Sequence, residues 1–241
     1  MKTVIVTGGS RGIGAAIVKE LAKNNYNVVL NYNNSEEAAK QIQKELQEEN
    51  IKIEIFKADV SKREEVKKIV KFTLDKFKNI DVLINNAGID QIKPFMDITD
   101  EDWNKMLQVN LNSVFYCSQE VLENMIHNKK GCIINISSIW GITGASCEVH
   151  YSASKAAIDG MTKALAKEMG PSNIRVNSIA PGLVDTDMNK DITSKELEEL
   201  KKEIPLGRIA KPEEIVNSIK WLIEDDYITG QEISRNGGWN I

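Results

Sequence analysis

Residues Val4–Gly14 read V-I-V-T-G-G-S-R-G-I-G and join a strand-like run directly to a helical one. Val4–Thr7 is typical of a buried strand, and an amphipathic helix is predicted from about Gly12 to Asn24. A glycine-rich turn at this junction presents free backbone N–H groups at a helix N-terminus, which favours binding of a phosphate-bearing dinucleotide. A plain turn is the alternative, and the position at the first strand–helix junction disfavours it.

The alternation of apolar strand and amphipathic helix continues to the end of the chain. Strands rich in Val and Ile without strict alternation favour a parallel sheet covered on both faces. We therefore predict one α/β domain over residues 1–241, a doubly wound Rossmann fold with a seven-stranded, mostly parallel sheet. The predicted strands are Val4–Thr7, Val28–Tyr32, Ile51–Phe56, Val82–Asn85, Cys132–Ile136, Arg175–Ala180 and Glu232–Ser234. The predicted helices cover about 12–24, 35–49, 64–77, 101–128, the segment with Tyr151 and Lys155, and 212–223.

Residues 184–208 have the weakest pattern in the chain. They contain the charged stretch 195–202, which is predicted to be helical. We predict a mobile flap that closes over a substrate. A solvated surface helix is a compatible alternative.

Composition excludes several classes of function. The 31 Lys and Arg residues against 35 Asp and Glu give a net charge of −4 without a basic tract, so nucleic acid is not an expected partner. No apolar run approaches the roughly 20 residues that span a bilayer, and no signal-peptide pattern precedes the first strand. Three cysteines without a C-x-x-C pair suggest a cytoplasmic protein, and two distant histidines argue against a metal site.

The end of the second strand predicts the choice of dinucleotide. An acidic residue there would accept from the ribose 2′-hydroxyl, but residues 31–35 read N-Y-N-N-S. Arg11, in the glycine-rich turn, is placed to pair with a 2′-phosphate. We therefore favour NADP(H) over NAD(H), with Arg11 and Asn31 at that end of the site. An exposed loop cation is the alternative for Arg11.

Two further polar stretches follow predicted strands. Asp59, next to Val60, could accept from an adenine amino group, or it could be a carboxylate at the N-terminus of the next helix. Asn85–Gly88 reads N-N-A-G at the point where the strand order should reverse, which is where such sheets bind ligands. Asn85 itself could instead bridge strands.

Ser138, Tyr151 and Lys155 form a set able to move a proton. Tyr151 and Lys155 are four apart on a predicted helix and share one face. The ammonium of Lys155 is expected to lower the pKa of the phenol, making Tyr151 an effective general acid toward a carbonyl oxygen. Ser138, at the end of the fifth strand, could donate to the same oxygen. His150 lies beside Tyr151 but about 100° away on the helix, so we assign it no acid–base role.

The chain resembles the short-chain dehydrogenases/reductases over essentially its whole length. The motifs are T-G-x-x-x-G-I-G at 7–14, N-N-A-G at 85–88, I-S-S at 136–138, Y-x-x-x-K at 151–155 and P-G at 181–182. The resemblance implies a fourth catalytic residue, Asn110, which would hold a water linked to Lys155. A helix-bulge asparagine that bonds backbone is a compatible alternative. The full expected cofactor site is Gly8, Ser10, Arg11, Gly12, Ile13, Gly14, Asn31, Asp59, Val60, Asn86, Ala87, Gly88, Tyr151, Lys155, Pro181, Gly182, Val184 and Thr186.

Within the family the chain most resembles the 3-oxoacyl-(acyl-carrier-protein) reductases. Stretches 8–11, 31–33, 185–188, 204–208 and 227–231 carry this likeness, whereas Ser113, Trp140, His150 and the C-terminal S-R-N-G-G-W depart from it. The resemblance implies an acyl carrier protein as partner and a homotetramer with 101–128, the Tyr151 helix and 237–241 at interfaces.

Lys129, Lys130 and Arg175 could form a basic docking rim for an acidic carrier, or serve only as solubilising charges. Another ketone substrate is the first alternative function. A nucleotide-binding regulator without catalysis is the second, and it would have no reason to keep Asn110, Ser138, Tyr151 and Lys155 together. The expected pocket lining is Trp140, Ile142, Glu148, Leu183 and Met188.

Overall fold

Seven strands form one sheet in the computed structural model, which describes residues 1–190 and 192–241. The strands are β1 Thr3–Val6, β2 Asn27–Tyr32, β3 Glu54–Lys57, β4 Val82–Asn85, β5 Gly131–Ile136, β6 Ile174–Pro181 and β7 Glu232–Arg235. They lie in the order β3-β2-β1-β4-β5-β6-β7, and every pair of neighbours is parallel. The order reverses between β1 and β4, as the prediction of a doubly wound Rossmann fold requires.

Helices connect the strands on both faces of the sheet. They are α1 Gly12–Lys23, α2 Glu36–Glu48, α3 Arg63–Phe77, α4 Asp100–Leu107, α5 Ser113–Asn128, α6 Ile139–Thr143, α7 Val149–Met169, α8 Ser194–Glu203 and α9 Pro212–Glu224. A π-helical turn, Gln108–Asn112, joins α4 to α5. The predicted fold class is confirmed.

The strands of the sheet are covered on both sides, which explains their continuous apolar character. Along β1, Val4 and Val6 belong to the core layer beneath α1, α2 and α9. Ile5 belongs to the opposite layer, beneath α3 and α5, because successive strand residues point to opposite faces.

Most predicted bounds agree with the structure, and the differences have local causes. β3 begins at Glu54 rather than Ile51, because the Ile51 N–H donates to the Leu46 carbonyl and completes the exit from α2. Asn50 adopts a φ of 60° in that exit. The long helix predicted over 101–128 is interrupted by the π-helical turn, and the short helix α6 was not predicted. The flap contains α8 as expected, and its Asp191 lies outside the described residues.

A polar ladder crosses the core beneath the carboxyl ends of the strands. Asn85 Nδ2 donates to Asn135 Oδ1 at 2.8 Å and to Ser118 Oγ at 3.2 Å. Asn135 Nδ2 continues to Thr162 Oγ1 at 2.8 Å. These four side chains, which are all buried, tie β4 and β5 to α5 and α7. The alternative that Asn85 bridges strands is therefore confirmed.

In the described residues, no helix has the length and apolarity needed to cross a bilayer.

Candidate active site

The carboxyl edge of the sheet brings the predicted catalytic residues together. Ser138 follows β5 and caps α6, where its Oγ accepts from the Trp140 N–H at 3.2 Å. Tyr151 and Lys155 lie on one face of α7, with Lys155 Nζ 5.6 Å from the centre of the Tyr151 ring. The side chain of Ser138 lies close enough to Tyr151 to favour the ionised form of its phenol. This arrangement places a phenol and a hydroxyl where both can reach one carbonyl oxygen.

Tyr151 is buried, and its surroundings differ from the expectation. Burial raises the pKa of the phenol above its ordinary value, and the nearby side chain of Ser138 only partly opposes this. The nearby carboxylates Glu148 and Asp90 raise the pKa further. The expected lowering by Lys155 is not found, because desolvation of the charged form dominates. The phenol therefore keeps its proton at neutral pH and can donate it.

Lys155 is buried at the centre of the site. Its Nζ donates to the Ile136 carbonyl at 2.8 Å. Burial lowers the pKa of Lys155 to about 8, and the negative charge of Asp159 opposes the shift. Asp159 is itself held by the hydroxyls of Ser137 and Ser178, at 2.6 and 2.7 Å. Asp159 was not predicted as a site residue, although it lies four residues after Lys155 on the same helix.

Asn110 lies in the π-helical turn and is fully buried. Its Oδ1 accepts from the Ile89 N–H, and its Nδ2 donates to the Ile89 carbonyl, both at 2.8 Å. Nδ2 also lies 3.2 Å from Ser154 Oγ. The bulge alternative is confirmed, because the side chain clamps backbone. Gly88 lies between Asn110 and Lys155, since a Cβ there would be 3.4 Å from Asn110 Oδ1 and 3.7 Å from Lys155 Nζ.

The glycine-rich turn has the shape that a bound pyrophosphate needs. Gly8 and Gly12 have φ values of 60° and 51°, which L-residues with a side chain rarely adopt. A Cβ on Gly14 would collide with the Gly8 carbonyl and the Asn86 side chain, so α1 begins directly against the loop. Ser10 is buried behind the turn, and the side chain of Arg11 is exposed. The cradle therefore fits a dinucleotide.

Asn86 and Ala87 close the other side of this turn. Asn86 Nδ2 donates to the carbonyls of Thr7 and Gly8, both at 3.0 Å. A Cβ on Gly8 would come within 2.9 Å of Ala87 Cα, so the two loops are in contact. Asn86 and Ala87, two residues of the expected cofactor site, thus lie beside the cradle.

The adenosine end of the site differs from the prediction at Asn31. Asn31 is buried, its Oδ1 lies 3.4 Å from the Gly8 N–H, and its Nδ2 donates to the Ala58 carbonyl at 2.9 Å. Both ends of the amide are therefore used inside the protein, and Asn31 positions the turn instead of facing a ribose. Asn33, which is exposed and lies two residues after Asn31, lines a cavity at this end of the site.

That cavity has a volume of about 420 Å³ and includes Asp59. Asp59 Oδ1 accepts from the backbone and the hydroxyl of Ser61, at 3.1 and 2.6 Å. The carboxylate therefore closes the turn before α3 while it also borders the cavity, so both interpretations of Asp59 are compatible with the structure. Val60 beside it is buried. The cavity is lined by Asn33, Phe56, Lys57, Ala58, Asp59, Lys62, Glu65 and Lys68.

The segment after β6 forms the base of the flap. Val184 pairs with Ala210 in a parallel bridge, and the Val184 carbonyl accepts from Asn189 Nδ2 at 2.6 Å. A Cβ on Gly12 would lie 3.2 Å from Thr186 Cγ2, so the flap base touches the glycine-rich turn. A cavity of about 410 Å³ opens here, lined by Leu183, Asp185, Thr186, Asp187, Asn189, Lys190, Ile192, Leu197 and Ile209.

A hydrogen-bonded chain fixes the loop after β4 against α7. His150 Nε2 lies 2.8 Å from Gln91 Oε1, and Gln91 Nε2 donates to Asp102 Oδ1 at 3.0 Å. Lys93 Nζ donates to Asp102 Oδ2 at 2.6 Å. Burial is the main cause that lowers the pKa of His150, so the ring is neutral. His150 therefore positions the loop, in keeping with the absence of an acid–base role. Gln91 carried no signal in the sequence.

The three residues of the expected docking rim do not border the cleft of their own chain. Lys129 and Lys130 precede β5, whereas Ser138 follows it, and the six residues of that strand separate them by about 20 Å. The guanidinium of Arg175 is largely buried and donates to the carbonyls of Leu222 and Ile223 at the end of α9. Arg175 thus secures a helix terminus, which corrects its assignment as a docking cation.

Within the described part of the chain, no group of three or more His, Cys, Asp or Glu residues could hold a metal ion.

Comparison with known proteins adds to this geometry. The short chain dehydrogenase family model matches residues 2–197. The chain is 41% identical over 242 residues to the Bacillus subtilis protein named uncharacterized oxidoreductase YmfI, covering 99% of each. It is 42% identical to the 3-oxoacyl-(acyl-carrier-protein) reductase FabG of Chlamydia trachomatis, covering 98% of this chain and 96% of that one. The Staphylococcus epidermidis FabG is 37% identical, covering 98% of each.

A solved structure shares the whole architecture. It is a double mutant of a Serratia marcescens short-chain dehydrogenase/reductase, with a TM-score of 0.94 and 36% sequence identity. The match covers 100% of this chain and 98% of that one.

Proposed function

The chain belongs to the short-chain dehydrogenase family and is thus an oxidoreductase with a nicotinamide cofactor, and we propose that it reduces 3-oxoacyl thioesters to 3-hydroxyacyl thioesters. The meeting of Ser138, Tyr151 and Lys155 at the edge of the cleft carries this proposal. The names of the FabG relatives support the thioester class.

A nicotinamide cofactor, held by the glycine-rich turn, would supply the hydride for the carbonyl carbon. Tyr151, neutral because burial raises the pKa of its phenol, donates its proton to the carbonyl oxygen. Ser138 donates a hydrogen bond to the same oxygen as negative charge develops there. Lys155 stabilises the tyrosinate that remains, and its own proton is available because burial brings the pKa of Lys155 to about 8.

Tyr151 must regain its proton after each turnover. We propose that the amide of Asn110 orders a water next to Lys155, as the family resemblance implies. The closeness of both residues to Gly88 supports this role. A regulator without catalysis would not need this arrangement.

We propose NADPH as the reductant. Arg11 is exposed at the start of α1. Residues 31–35, at the end of β2 and in the turn that follows it, contain no acidic side chain that would repel a 2′-phosphate. Lys57 and Lys62 line the adjoining cavity and add positive charge. The expected partner is an acyl carrier protein, and the expected assembly is a homotetramer. The three unpaired cysteines fit a reducing compartment such as the cytoplasm.

The proposal is tested by steady-state oxidation of NADPH, and separately of NADH, with acetoacetyl thioester on carrier protein and on coenzyme A. We expect turnover with NADPH that favours the carrier-linked substrate. Tight NADPH binding without turnover of either thioester would contradict the proposed substrate and favour a different ketone. Faster turnover with NADH would contradict the role of Arg11.

A further inference from the structure

Two tryptophan rings from distant parts of the chain meet near Ser138. The rings of Trp140 and Trp239 pack edge to face, with their centroids 5.1 Å apart and an interplanar angle of 67°. Trp140 lies in α6, two residues after Ser138, and Trp239 lies in the tail after β7. Both are half-buried. Such pairs are stabilised beyond simple burial of area, so the contact holds the two segments together.

Trp140 is fixed relative to the reacting groups. Its backbone N–H donates to Ser138 Oγ, which anchors the first turn of α6. Next to it, a Cβ on Gly141 would come within 2.9 Å of the Lys155 carbonyl carbon and 3.0 Å of the Ala156 nitrogen. The helix α6 therefore packs directly on the backbone of α7 at Lys155, and the backbone of Trp140 is held beside the catalytic serine.

Trp239 is tied to the flap. Its Nε1 donates to Glu203 Oε2 at 3.3 Å, at the last residue of α8. The Leu206 N–H donates to the Gly237 carbonyl at 3.1 Å, and a Cβ on Gly238 would lie 3.1 Å from Pro205. The tail therefore supports the C-terminal end of the flap. Through the two rings, the flap is connected to the element that carries Ser138.

We propose that Trp140 and Trp239 form a wall that closes one end of the substrate channel and restricts the enzyme to short 3-oxoacyl chains. This inference rests on the proposed function. In a channel with room for the acyl chain of the substrate, each added methylene that becomes buried would raise kcat/KM about fourfold. A wall of two joined indoles gives no room for those methylenes, and a longer chain can enter only if the flap and the tail separate.

The test is a chain-length series of 3-oxoacyl-coenzyme A substrates, from acetoacetyl to 3-oxododecanoyl, with saturating NADPH. For the wild-type enzyme we expect kcat/KM to fall at least tenfold along the series. We compare the ratio of kcat/KM for the long substrates to kcat/KM for acetoacetyl-coenzyme A. Trp140→Ala and Trp239→Ala should each raise this ratio at least tenfold. Trp140→Phe and Trp239→Phe should keep the preference for short chains. Trp221→Ala, an exposed position on α9, is the matched control and should behave as wild type.

The outcomes separate the two proposals. If wild-type enzyme reduces long and short thioesters equally well, the wall is refuted while the proposed function stands. An equal loss for all chain lengths in both alanine variants would also refute the wall, because the rings would then serve only the fold. If the wild-type enzyme reduces no thioester with either cofactor, the proposed function fails, and this inference fails with it.

Discussion

At the scale of single residues, Tyr151 shows what a sequence pattern can and cannot predict. The four-residue spacing to Lys155 placed both on one face of α7, as the structure has them. The direction of the pKa shift could not be predicted, because it depends on burial and on Glu148 and Asp90. Desolvation is a property of the assembled site and has no counterpart in a local motif.

Tyr151→Phe removes the proton donor and leaves the ring in place. Because a positioned general acid contributes about 10²- to 10⁴-fold, we expect kcat to fall by that factor with an unchanged Kd for NADPH. Stopped-flow turnover and fluorescence titration of the cofactor measure the two quantities. Tyr227→Phe changes a fully exposed phenol and serves as the control. Retained turnover in Tyr151→Phe would remove Tyr151 from the mechanism.

Glu148 predicts a pH dependence of stability. Burial, with a smaller contribution from Asp90, raises the pKa of Glu148 from 4.5 to about 7. The folded state therefore binds a proton at Glu148 more tightly than the unfolded state does. The resulting stabilisation of the folded state is complete below pH 4.5 and is lost as the pH rises through 7. We expect the free energy of unfolding to fall over this window in the wild-type protein relative to Glu148→Gln.

Urea denaturation at pH 5 and pH 7.5 measures this difference. Glu101→Gln, at an exposed position on α4, should retain the wild-type dependence. If the free energy of unfolding changes equally between the two pH values in wild type and in Glu148→Gln, the carboxyl group of Glu148 titrates normally.

Arg11 predicts the cofactor preference. If its guanidinium pairs with the 2′-phosphate, Arg11→Ala should raise the KM for NADPH about 10- to 100-fold, the usual range for a hydrogen bond to a charged group. The KM for NADH should change little. Lys23→Ala, at the other end of α1, controls for a general loss of positive charge. Equal effects on both cofactors would contradict recognition of the phosphate.

At the scale of elements, the π-helical turn explains why one helix prediction was incomplete. Hydrophobic periodicity predicted a continuous helix over 101–128, and the structure inserts Gln108–Asn112 between α4 and α5. The reason is a contact distant in sequence, because Asn110 turns inward to clamp both backbone groups of Ile89. Such turns are frequent at functional sites, but a single sequence does not locate them.

Asn110→Ala should destabilise the protein and impair catalysis together. The substitution leaves the half-buried N–H and carbonyl of Ile89 without their partner, at a cost of about 1–3 kcal/mol in the free energy of unfolding. Asn112→Ala is the matched control, because its amide donates to Gln108 Oε1 within the same turn. Chemical denaturation and kcat measure the two effects. Equal stabilities of the two variants would show that the clamp contributes nothing.

At the scale of the whole molecule, the predicted topology was correct because strand–helix alternation leaves few possible arrangements. The doubly wound, parallel seven-stranded sheet followed from that alternation, whereas the placement of the tail did not. Trp239 at the end of the chain was equally compatible with a neighbouring subunit, and it packs on Trp140 of the same chain. A contact between two residues so distant in sequence cannot be predicted from a local pattern.

The assembly remains a prediction that follows from the family. We expect sedimentation equilibrium to give a homotetramer at micromolar concentration. Phe115, exposed on α5, lies on an expected interface, so Phe115→Glu should shift the protein toward smaller species. Phe95→Glu, at an exposed position outside the expected interface segments, is the control. A wild-type monomer would contradict this assembly.

The polar ladder of Asn85, Asn135, Ser118 and Thr162 has a consequence for protein engineering. Each amide of the ladder is hydrogen-bonded to another residue of the ladder. A substitution at one position therefore leaves a buried polar group at the next position without its hydrogen-bond partner. A mutant library that seeks new substrates should therefore keep these four codons fixed. Its diversity belongs in the loops above the carboxyl edge, where side chains can vary without disturbing the scaffold that holds them.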